Sequence, residues 1–235
     1  SALAGGALMR QQGVEPLIHV YGRDRNRMAL QGDLLAAHVL GIHNLLVVQG
    51  EDMVNGDHQE ALPVNDLDEA GILRMISSLT RGTDMAGFEL KGTPEFTIGC
   101  AIAPMADDAQ LKKEVEAAQK KIDAGAQYIL LPPVFDIPYY AQMIEAFKSL
   151  KVPVIASVFL LKNVGMARYI SINDPSSRLS EDTIRRIRKA KDREAECIHI
   201  AGEMIRSLKG VAQGIKISAL GWEDRLPAIL DSAGL

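Results

Sequence analysis

The 235-residue sequence contains only two cysteines, Cys100 and Cys197, which lie far apart and form no CxxC motif. Small secreted folds that depend on disulfides carry many more cysteines, so the two cysteines fit free thiols in a reducing compartment better than a disulfide scaffold. The sequence also lacks a charged and then apolar signal segment at its N-terminus. Together these absences indicate a cytoplasmic protein.

Long apolar runs and an excess of basic residues are missing as well. No apolar stretch approaches the roughly 18 residues that suggest a membrane span. Lysine and arginine number 26 against 30 acidic residues, and the net charge of −4 argues against binding to the phosphate backbone of nucleic acid. Because 47% of the residues are hydrophobic, disorder is excluded, and the length suits one large domain or at most two small ones.

The residue patterns of two common kinds of active site are also absent. The five histidines show neither HxH nor HExxH spacing and neither cysteine has a nearby partner, so no metal site is predicted. No GxSxG motif marks a nucleophilic serine. One basic run, residues 185–193, is interleaved with Ile184, Ile187 and acidic residues, which is typical of the solvated face of a helix.

Helical and strand-like segments alternate along the whole chain. Helices are predicted over residues 1–12, 27–40, 67–80, 108–124, 137–149, 163–170, 180–207 and 222–233. Strands are predicted over residues 15–20, 44–48, 96–102, 127–131, 153–159 and 214–219. Each strand is a short continuous apolar run, as in a parallel sheet covered by helices.

Six strands fit either an open doubly wound sheet or part of a (β/α)₈ barrel, which needs eight. No GxGxxG or GxxxxGK[ST] loop follows the first strand, which argues slightly against a nucleotide-binding doubly wound domain. In a parallel barrel the chemistry gathers where strands end, so the residues after each strand are the first candidates for a site.

Polar residues follow the first two strands directly. After His19 come Arg23 and Arg25, whose guanidinium groups match phosphate or carboxylate bidentately. The alternative is a surface ion-pair set formed by Asp24, Arg25 and Asp33. A lone histidine such as His19 is more often a core histidine than a catalytic residue. After the second strand, Gly50 permits close approach of a ligand and Glu51 projects beyond the strand end, although an ordinary acidic loop explains both.

Many segments in order resemble the methylenetetrahydrofolate reductase family, in its short bacterial or archaeal form without a regulatory domain. They are Glu15-Pro16-Leu17-Ile18-His19-Val20, Arg23-Asp24-Arg25-Asn26, Leu34-Leu35, Gly41-Ile42, Asn44-Leu45-Leu46, Gly50, Gly56-Asp57-His58, Gly99-Cys100-Ala101, Lys121-Ile122-Asp123-Ala124-Gly125-Ala126, Pro133-Val134-Phe135-Asp136 and Ala219-Leu220-Gly221-Trp222-Glu223. The resemblance covers residues 1–235 as a single barrel domain.

The resemblance implies a (β/α)₈ barrel that binds FAD and reduces 5,10-methylenetetrahydrofolate to 5-methyltetrahydrofolate. It implies a cofactor site formed by His19, Tyr21, Gly22, Arg23, Gln49, Gly50, Glu51, Glu114, Lys120 and Lys121. Glu51 would face the flavin and the pterin as the catalytic acidic residue, and Pro132 and Phe135 would join it at the substrate. Glu114 would meet the FAD ribose and the two lysines its diphosphate.

The sequence departs from the family pattern in three places. The first two barrel strands are expected to be missing, with the family's glutamate general acid on the first of them, so strands three to eight would remain. Where the family has Thr-Gln, this chain has Leu131 and Pro132, and proline can neither donate an N–H nor offer a side-chain amide to the pterin. Where the family usually has Gly-Asp, this chain has Gly50-Glu51, so the carboxylate is retained on a side chain that is one methylene longer.

Two functions follow from this pattern. The first is FAD-dependent folate reduction, with NADH, NADPH or a redox partner subunit as electron donor and an oligomeric assembly expected. The second is a diverged paralogue, either a non-catalytic partner subunit or a flavoprotein acting on another one-carbon carrier. A barrel or doubly wound enzyme of another class is the third interpretation.

Overall fold

The computed structural model describes every residue from Ser1 to Leu235. Nine α-helices are present: α1 (Ala2–Gln11), α2 (Arg27–Val39), α3 (Glu69–Thr80), α4 (Asp108–Asp123), α5 (Ile137–Lys148), α6 (Val164–Asn173), α7 (Glu181–Lys189), α8 (Arg193–Leu208) and α9 (Leu226–Ala233). Six strands are present: β1 (Leu17–Val20), β2 (Asn44–Val47), β3 (Thr97–Ala101), β4 (Tyr128–Leu130), β5 (Val154–Phe159) and β6 (Gly214–Ser218). The six predicted strands are confirmed to within two residues at each end.

The chain divides into two compact units. The first comprises Ser1–Ala101 with Ala117–Tyr128, and the second comprises Ile102–Glu116 with Ile129–Leu235. Helix α4 therefore contributes its first half to the second unit and its last half to the first unit.

In the first unit β1, β2 and β3 pair in parallel. Leu17 of β1 lies opposite Asn44 of β2, which in turn lies opposite Thr97 of β3. Most of the β2 and β3 side chains are buried, since helices cover this part of the sheet. Helix α3 packs there because its apolar residues recur three and four positions apart, at Ile72, Met75, Ile76 and Leu79.

In the second unit β4, β5 and β6 pair in parallel. Ile129 of β4 lies opposite Val154, and Phe159 at the end of β5 lies opposite Ser218 of β6. Strands β5 and β6 are longer than β4. Four side chains of β5 are fully or nearly fully buried.

Hydrogen bonds within each unit decide between the two predicted sheet orders. In the first unit the Gln127 amide, at the entry to β4, donates to the Ile98 carbonyl of β3 at 2.6 Å. In the second unit the Ile102 amide, just beyond β3, donates to the Leu130 carbonyl of β4 at 3.0 Å. A doubly wound sheet would instead place β4 beside β1. The strand order is therefore that of a barrel, and the predicted parallel α/β fold is confirmed at this level.

Polar side chains cap the starts of the helices, as the sequence spacing requires. A side-chain oxygen accepts a hydrogen bond from the backbone amide three residues on at Asn26, Asp68, Asp136, Asn163, Ser180 and Asp192. Each cap satisfies one of the amides that a helix leaves unpaired at its first turn.

The prediction of one long helix over residues 180–207 is wrong. The chain leaves helical geometry at Ala190, and Asp192 caps a new helix by accepting from the Ala195 amide at 3.0 Å. The break allows Ile184 and Ile187 of α7 to pack into the same apolar cluster as Cys197 and Ile200 of α8. A straight helix could not fold back on its own apolar face.

The last helix begins later than predicted. Residues 223–225 form a 3₁₀ turn, and α9 starts at Leu226 with Pro227 in its first turn, where a missing amide costs nothing. Among the helices, none combines the length and apolarity needed to cross a bilayer. No cluster of three His, Cys, Asp or Glu side chains is arranged to hold a metal ion.

Candidate functional site

A cavity of about 530 Å³ lies in the first unit, where β1 and β2 end and α3 begins. Its wall is formed by Gly22, Arg23, Val48, Gln49, Gly50, Glu51, Asp52, Met53, Pro63, Asn65, Leu67, Asp68, Glu69 and Ile72. We call it the strand-end cavity. Five residues predicted for the cofactor site line it, namely Gly22, Arg23, Gln49, Gly50 and Glu51.

Arg23 connects the two loops that form this wall. Its guanidinium donates to both carboxylate oxygens of Asp24, at 2.5 and 2.9 Å, and to the backbone carbonyl of Glu51 at 3.0 Å. It also lies over the Tyr21 ring, 5.4 Å from the centroid. The Arg23 guanidinium holds the pKa of the Asp24 carboxyl below its usual range, so this pair stays ionised across the neutral range.

Two glycines of the cavity wall leave no room for a side chain. A Cβ on Gly22 would lie 2.2 Å from the Leu67 carbonyl oxygen, and a Cβ on Gly50 would lie 2.6 Å from the Arg23 Cβ. The close packing of the loop after β1 and the loop after β2 therefore depends on glycine at both positions.

The long polar loop after β2 folds back over the end of β1. The Val64 amide donates to the Arg23 carbonyl at 2.6 Å, and the Asn65 amide donates to the Gly22 carbonyl at 3.1 Å. This loop supplies Pro63 and Asn65 to the cavity wall. The Glu51 and Gln49 side chains remain exposed, so both can reach a ligand.

Lys121 forms a half-buried ion pair beside the end of β3. Its Nζ atom donates to Glu69 Oε1 and to the Ala101 carbonyl, each at 2.9 Å. The Lys121 and Glu69 side chains are only 14% and 23% exposed. Cys100 lies next to this pair along β3, and burial raises the pKa of its thiol to about 12, which leaves it protonated and unreactive.

His19 and Tyr21 line a second cavity of the first unit, with a volume of about 450 Å³. Arg25 also lines it and forms an ion pair with Asp33 at 3.0 Å between Nε and Oδ2. The alternative prediction of a surface ion-pair set is therefore correct for Arg25 and Asp33. Asp24 pairs with Arg23 instead.

The remaining predicted residues lie elsewhere. Lys120 is exposed on α4 in the first unit, and Glu114 is half-buried on α4 in the second unit. Pro132 is half-buried directly after β4, and Phe135 packs against the apolar cluster between α7 and α8 with its amide bonded to the Ser177 carbonyl. The predicted roles of these four residues stay predictions.

Sequence reasoning missed two acidic residues of the strand-end cavity. Asp68 caps α3 by accepting from the Gly71 amide at 2.7 Å, and Glu69 follows it in the first turn. An Asp followed by Glu at a helix start is a recognisable capping signal. This signal predicts where a helix starts, but it does not predict that the start of the helix lies at the cavity.

The charges on the cavity wall indicate what it can bind. Four carboxylates, Glu51, Asp52, Asp68 and Glu69, and one guanidinium line it. Carboxylates accept hydrogen bonds from ring N–H groups, amines and hydroxyls. A diphosphate requires cations; Arg23 lines the cavity, and Lys121 is ion-paired with the lining residue Glu69.

Solved structures resemble the chain only weakly. An uncharacterized protein from Clostridium thermocellum that binds two copies of 5-methyl-5,6,7,8-tetrahydrofolic acid is 13% identical, with 98% of this chain and 97% of that chain covered and a TM-score of 0.45. The carboxyl transferase domain of Rhizobium etli pyruvate carboxylase, in a Y628A variant with pyruvate, is 13% identical over 88% of this chain and 33% of that one, with a TM-score of 0.46. Tryptophan synthase subunit alpha from Legionella pneumophila is 13% identical over 100% and 95%, with a TM-score of 0.38.

TM-scores below 0.5 give these three likenesses no weight for fold or function. No curated protein matches the chain significantly. The family comparison is decisive by contrast, because the model described as methylenetetrahydrofolate reductase matches residues 3–234, nearly the whole chain. The chain belongs to the methylenetetrahydrofolate reductase family.

Proposed function

We propose that the chain binds FAD and reduces 5,10-methylenetetrahydrofolate to 5-methyltetrahydrofolate, with the strand-end cavity at the centre of the site. The support is the family match over residues 3–234 combined with the position of Gly50 and Glu51 on the wall of a cavity of about 530 Å³. The proposal places the protein in folate one-carbon metabolism.

The residues on the cavity wall fit the isoalloxazine ring of a flavin. Gly22 and Gly50 bring two loops together where any side chain would collide, which leaves backbone groups to meet a ligand. Gln49 offers an amide donor and acceptor, and Glu51 offers a carboxylate. When bound, the flavin supplies the hydride chemistry, and the protein supplies orientation and electrostatics.

Lys120 and Lys121 are the proposed partners of the diphosphate, and Glu114 on the same helix is the proposed partner of the ribose. Lys120 is exposed and can move to an anion without breaking a contact. Lys121 is already held at the end of β3 by Ala101 and Glu69, so it would act from a fixed position. His19 and Tyr21 remain proposed flavin contacts through the end of β1.

Cofactor binding is tested by titrating the apoprotein with FAD and following quenching of flavin fluorescence. Binding of about one FAD per chain is expected. The K120M variant should weaken binding about tenfold, since one charge-assisted contact contributes roughly 1.5 kcal/mol. The K151M variant is the matched control, because Lys151 is an exposed lysine of the second unit. No binding by the wild-type protein would refute the cofactor assignment.

Glu51 is the proposed catalytic carboxylate. It would accept hydrogen bonds from ring N–H groups of flavin and pterin and so keep both in register. The E51Q variant is expected to retain FAD and to lose about 10²-fold in turnover, the usual loss when a preorganised hydrogen-bonding group at the reacting centre is removed. E60Q is the control, because Glu60 is an exposed acid of the same loop. Equal activity of E51Q and wild type would exclude the role.

The electron donor divides the proposal into two testable cases. Anaerobic mixing of the flavin-loaded protein with NADH or NADPH separates a direct nicotinamide donor from a redox partner subunit. Rapid loss of flavin absorbance with either nucleotide supports the first case. Slow loss with both supports the second.

The alternative is a diverged paralogue, acting on another one-carbon carrier or serving as a non-catalytic partner subunit. It is favoured by the sequence at the end of β4, where Leu131 is fully buried and Pro132 follows. The Leu131 amide donates to the Ile155 carbonyl at 2.9 Å and proline has no amide hydrogen, so neither residue offers a free N–H or a polar side chain to a pterin. A gain in folate affinity or turnover in P132Q would favour this alternative.

A further inference from the structure

We propose that the outer face of α2 is an interface between two copies of this chain, packed antiparallel about a two-fold axis. Helix α2 buries Leu30, Leu34 and Ala37 against its own unit. Its opposite side carries Met28, Gly32, Leu35 and Val39, which are defined here as the α2 outer stripe. Met28 and Val39 are 77% and 83% exposed, although both are fully apolar.

The spacing of the outer stripe is that of a helix–helix seam. Successive members are four, three and four residues apart, which is the alternation of a heptad pattern. The stripe contains no charged residue. An apolar helix face directed at water is unusual in a monomer and indicates an interaction surface.

Gly32 supplies an independent argument. Glycine is among the least favourable residues inside a helix, yet Gly32 sits in the middle of α2 with ordinary helical geometry. A Cβ at this position would have no atom within 4 Å, so packing inside the chain gives no reason for a glycine. Close approach of another helix does give one, because a glycine on a helix surface is a hole into which a partner side chain fits.

The stripe is complementary to itself. When two α2 helices pack antiparallel about a centre between Asp33 and Leu34, Leu35 of each copy faces Gly32 of the other. Met28 of each copy then faces Val39 of the other. Large side chains meet large ones at the ends, and each central leucine meets a glycine. Antiparallel helices also place opposite ends of their dipoles side by side.

Neighbouring apolar side chains extend the surface to a useful size. Exposed apolar side chains on elements that contact α2 are Leu8 and Met9 of α1, Leu40 directly after α2, and Phe88. Phe88 belongs to the hairpin over residues 83–89, whose Met85 amide donates to the Gln31 side chain of α2. Together with the stripe they present roughly 400 Å² of apolar surface, taking about 100 Å² for a fully exposed side chain. A standard interface of ~800 Å² per partner contains about that much.

The test measures the oligomeric state of the full chain by sedimentation velocity from about 1 to 100 μM. A dimer is expected. G32M should raise its dissociation constant at least tenfold without lowering the melting temperature, because methionine suits a helix and meets nothing inside the chain. V39E should do the same, whereas the control I172E, an exposed apolar residue of α6, should leave the dimer intact.

Crosslinking tests the antiparallel arrangement. In a mixture of G32C and L35C proteins, oxidation should join unlike chains in preference to like ones. Preferential L35C–L35C crosslinking would indicate a parallel arrangement and overturn the proposal. A protein that stays monomeric at 100 μM, or a dimer indifferent to both G32M and V39E, would overturn it as well.

Discussion

Replacing Lys121 with methionine should destabilise the first unit strongly, because Lys121 makes two charge-assisted hydrogen bonds at the end of β3. Methionine keeps most of the apolar stem, so the loss reports the polar contacts. The change removes the bonds to Glu69 and to the Ala101 carbonyl, and it leaves a mostly buried carboxylate without its cation.

The size of the effect follows from burial. Removing one partner of a fully buried ion pair costs about 3–5 kcal/mol. The pair keeps some solvent, with exposures of 14% and 23%, so we expect about 2–3 kcal/mol for K121M. E69Q retains an acceptor for the lysine and should cost about 1 kcal/mol. In the double variant the two costs should overlap, with a coupling energy of about 1 kcal/mol.

Urea unfolding followed by far-UV circular dichroism measures these differences in the free energy of unfolding. K120M is the matched control: Lys120 is the neighbouring lysine, is exposed on the same helix, and should change stability by no more than about 0.5 kcal/mol. A loss below that value in K121M would refute the reasoning, and so would strictly additive effects in the double variant.

Three further predictions concern the same unit. The ion pair with Arg27 lowers the pKa of Asp66 to about 2. The stability that this ion pair contributes is complete above the usual pKa range of a carboxyl group and disappears as the pH falls towards 2. D66N should therefore flatten the dependence of stability on pH in that window, and an unchanged profile would contradict this. G22A should cost about 1–3 kcal/mol in urea unfolding, because its Cβ would meet the Leu67 carbonyl, and a neutral effect would contradict the packing. Cys100 should resist thiol reagents at pH 8 until the protein unfolds, since burial raises its pKa to about 12, and rapid labelling of the native protein would contradict this.

The repeating pattern of apolar runs was sufficient to predict the strands, because each buried strand of a parallel sheet must be a continuous apolar segment. It could not decide the sheet order, since strand adjacency depends on long-range hydrogen bonds such as that of Gln127 with Ile98. The break at Ala190 was missed because helical residues continue through it. Residues 188–194 contain no large apolar side chain, and Asp192 is a good cap, so the signal was present.

The site was predicted in part for a similar reason. Residues that directly follow strands, such as Gly22, Arg23, Gly50 and Glu51, could be identified because the ends of neighbouring parallel strands lie together. The pairing of Arg23 with Asp24 and of Lys121 with Glu69 depends on loop and helix geometry. Nothing in the spacing of positions 69 and 121 indicates that they meet.

The central proposal is that this member of the family is a flavin-dependent folate reductase. It is tested most directly by adding 5-methyltetrahydrofolate to the FAD-loaded protein under anaerobic conditions and recording the flavin absorbance. Bleaching of the oxidised flavin band, at a rate lowered in E51Q and unchanged in E60Q, is the result we predict. A bound flavin whose absorbance does not change with methyltetrahydrofolate would contradict the account.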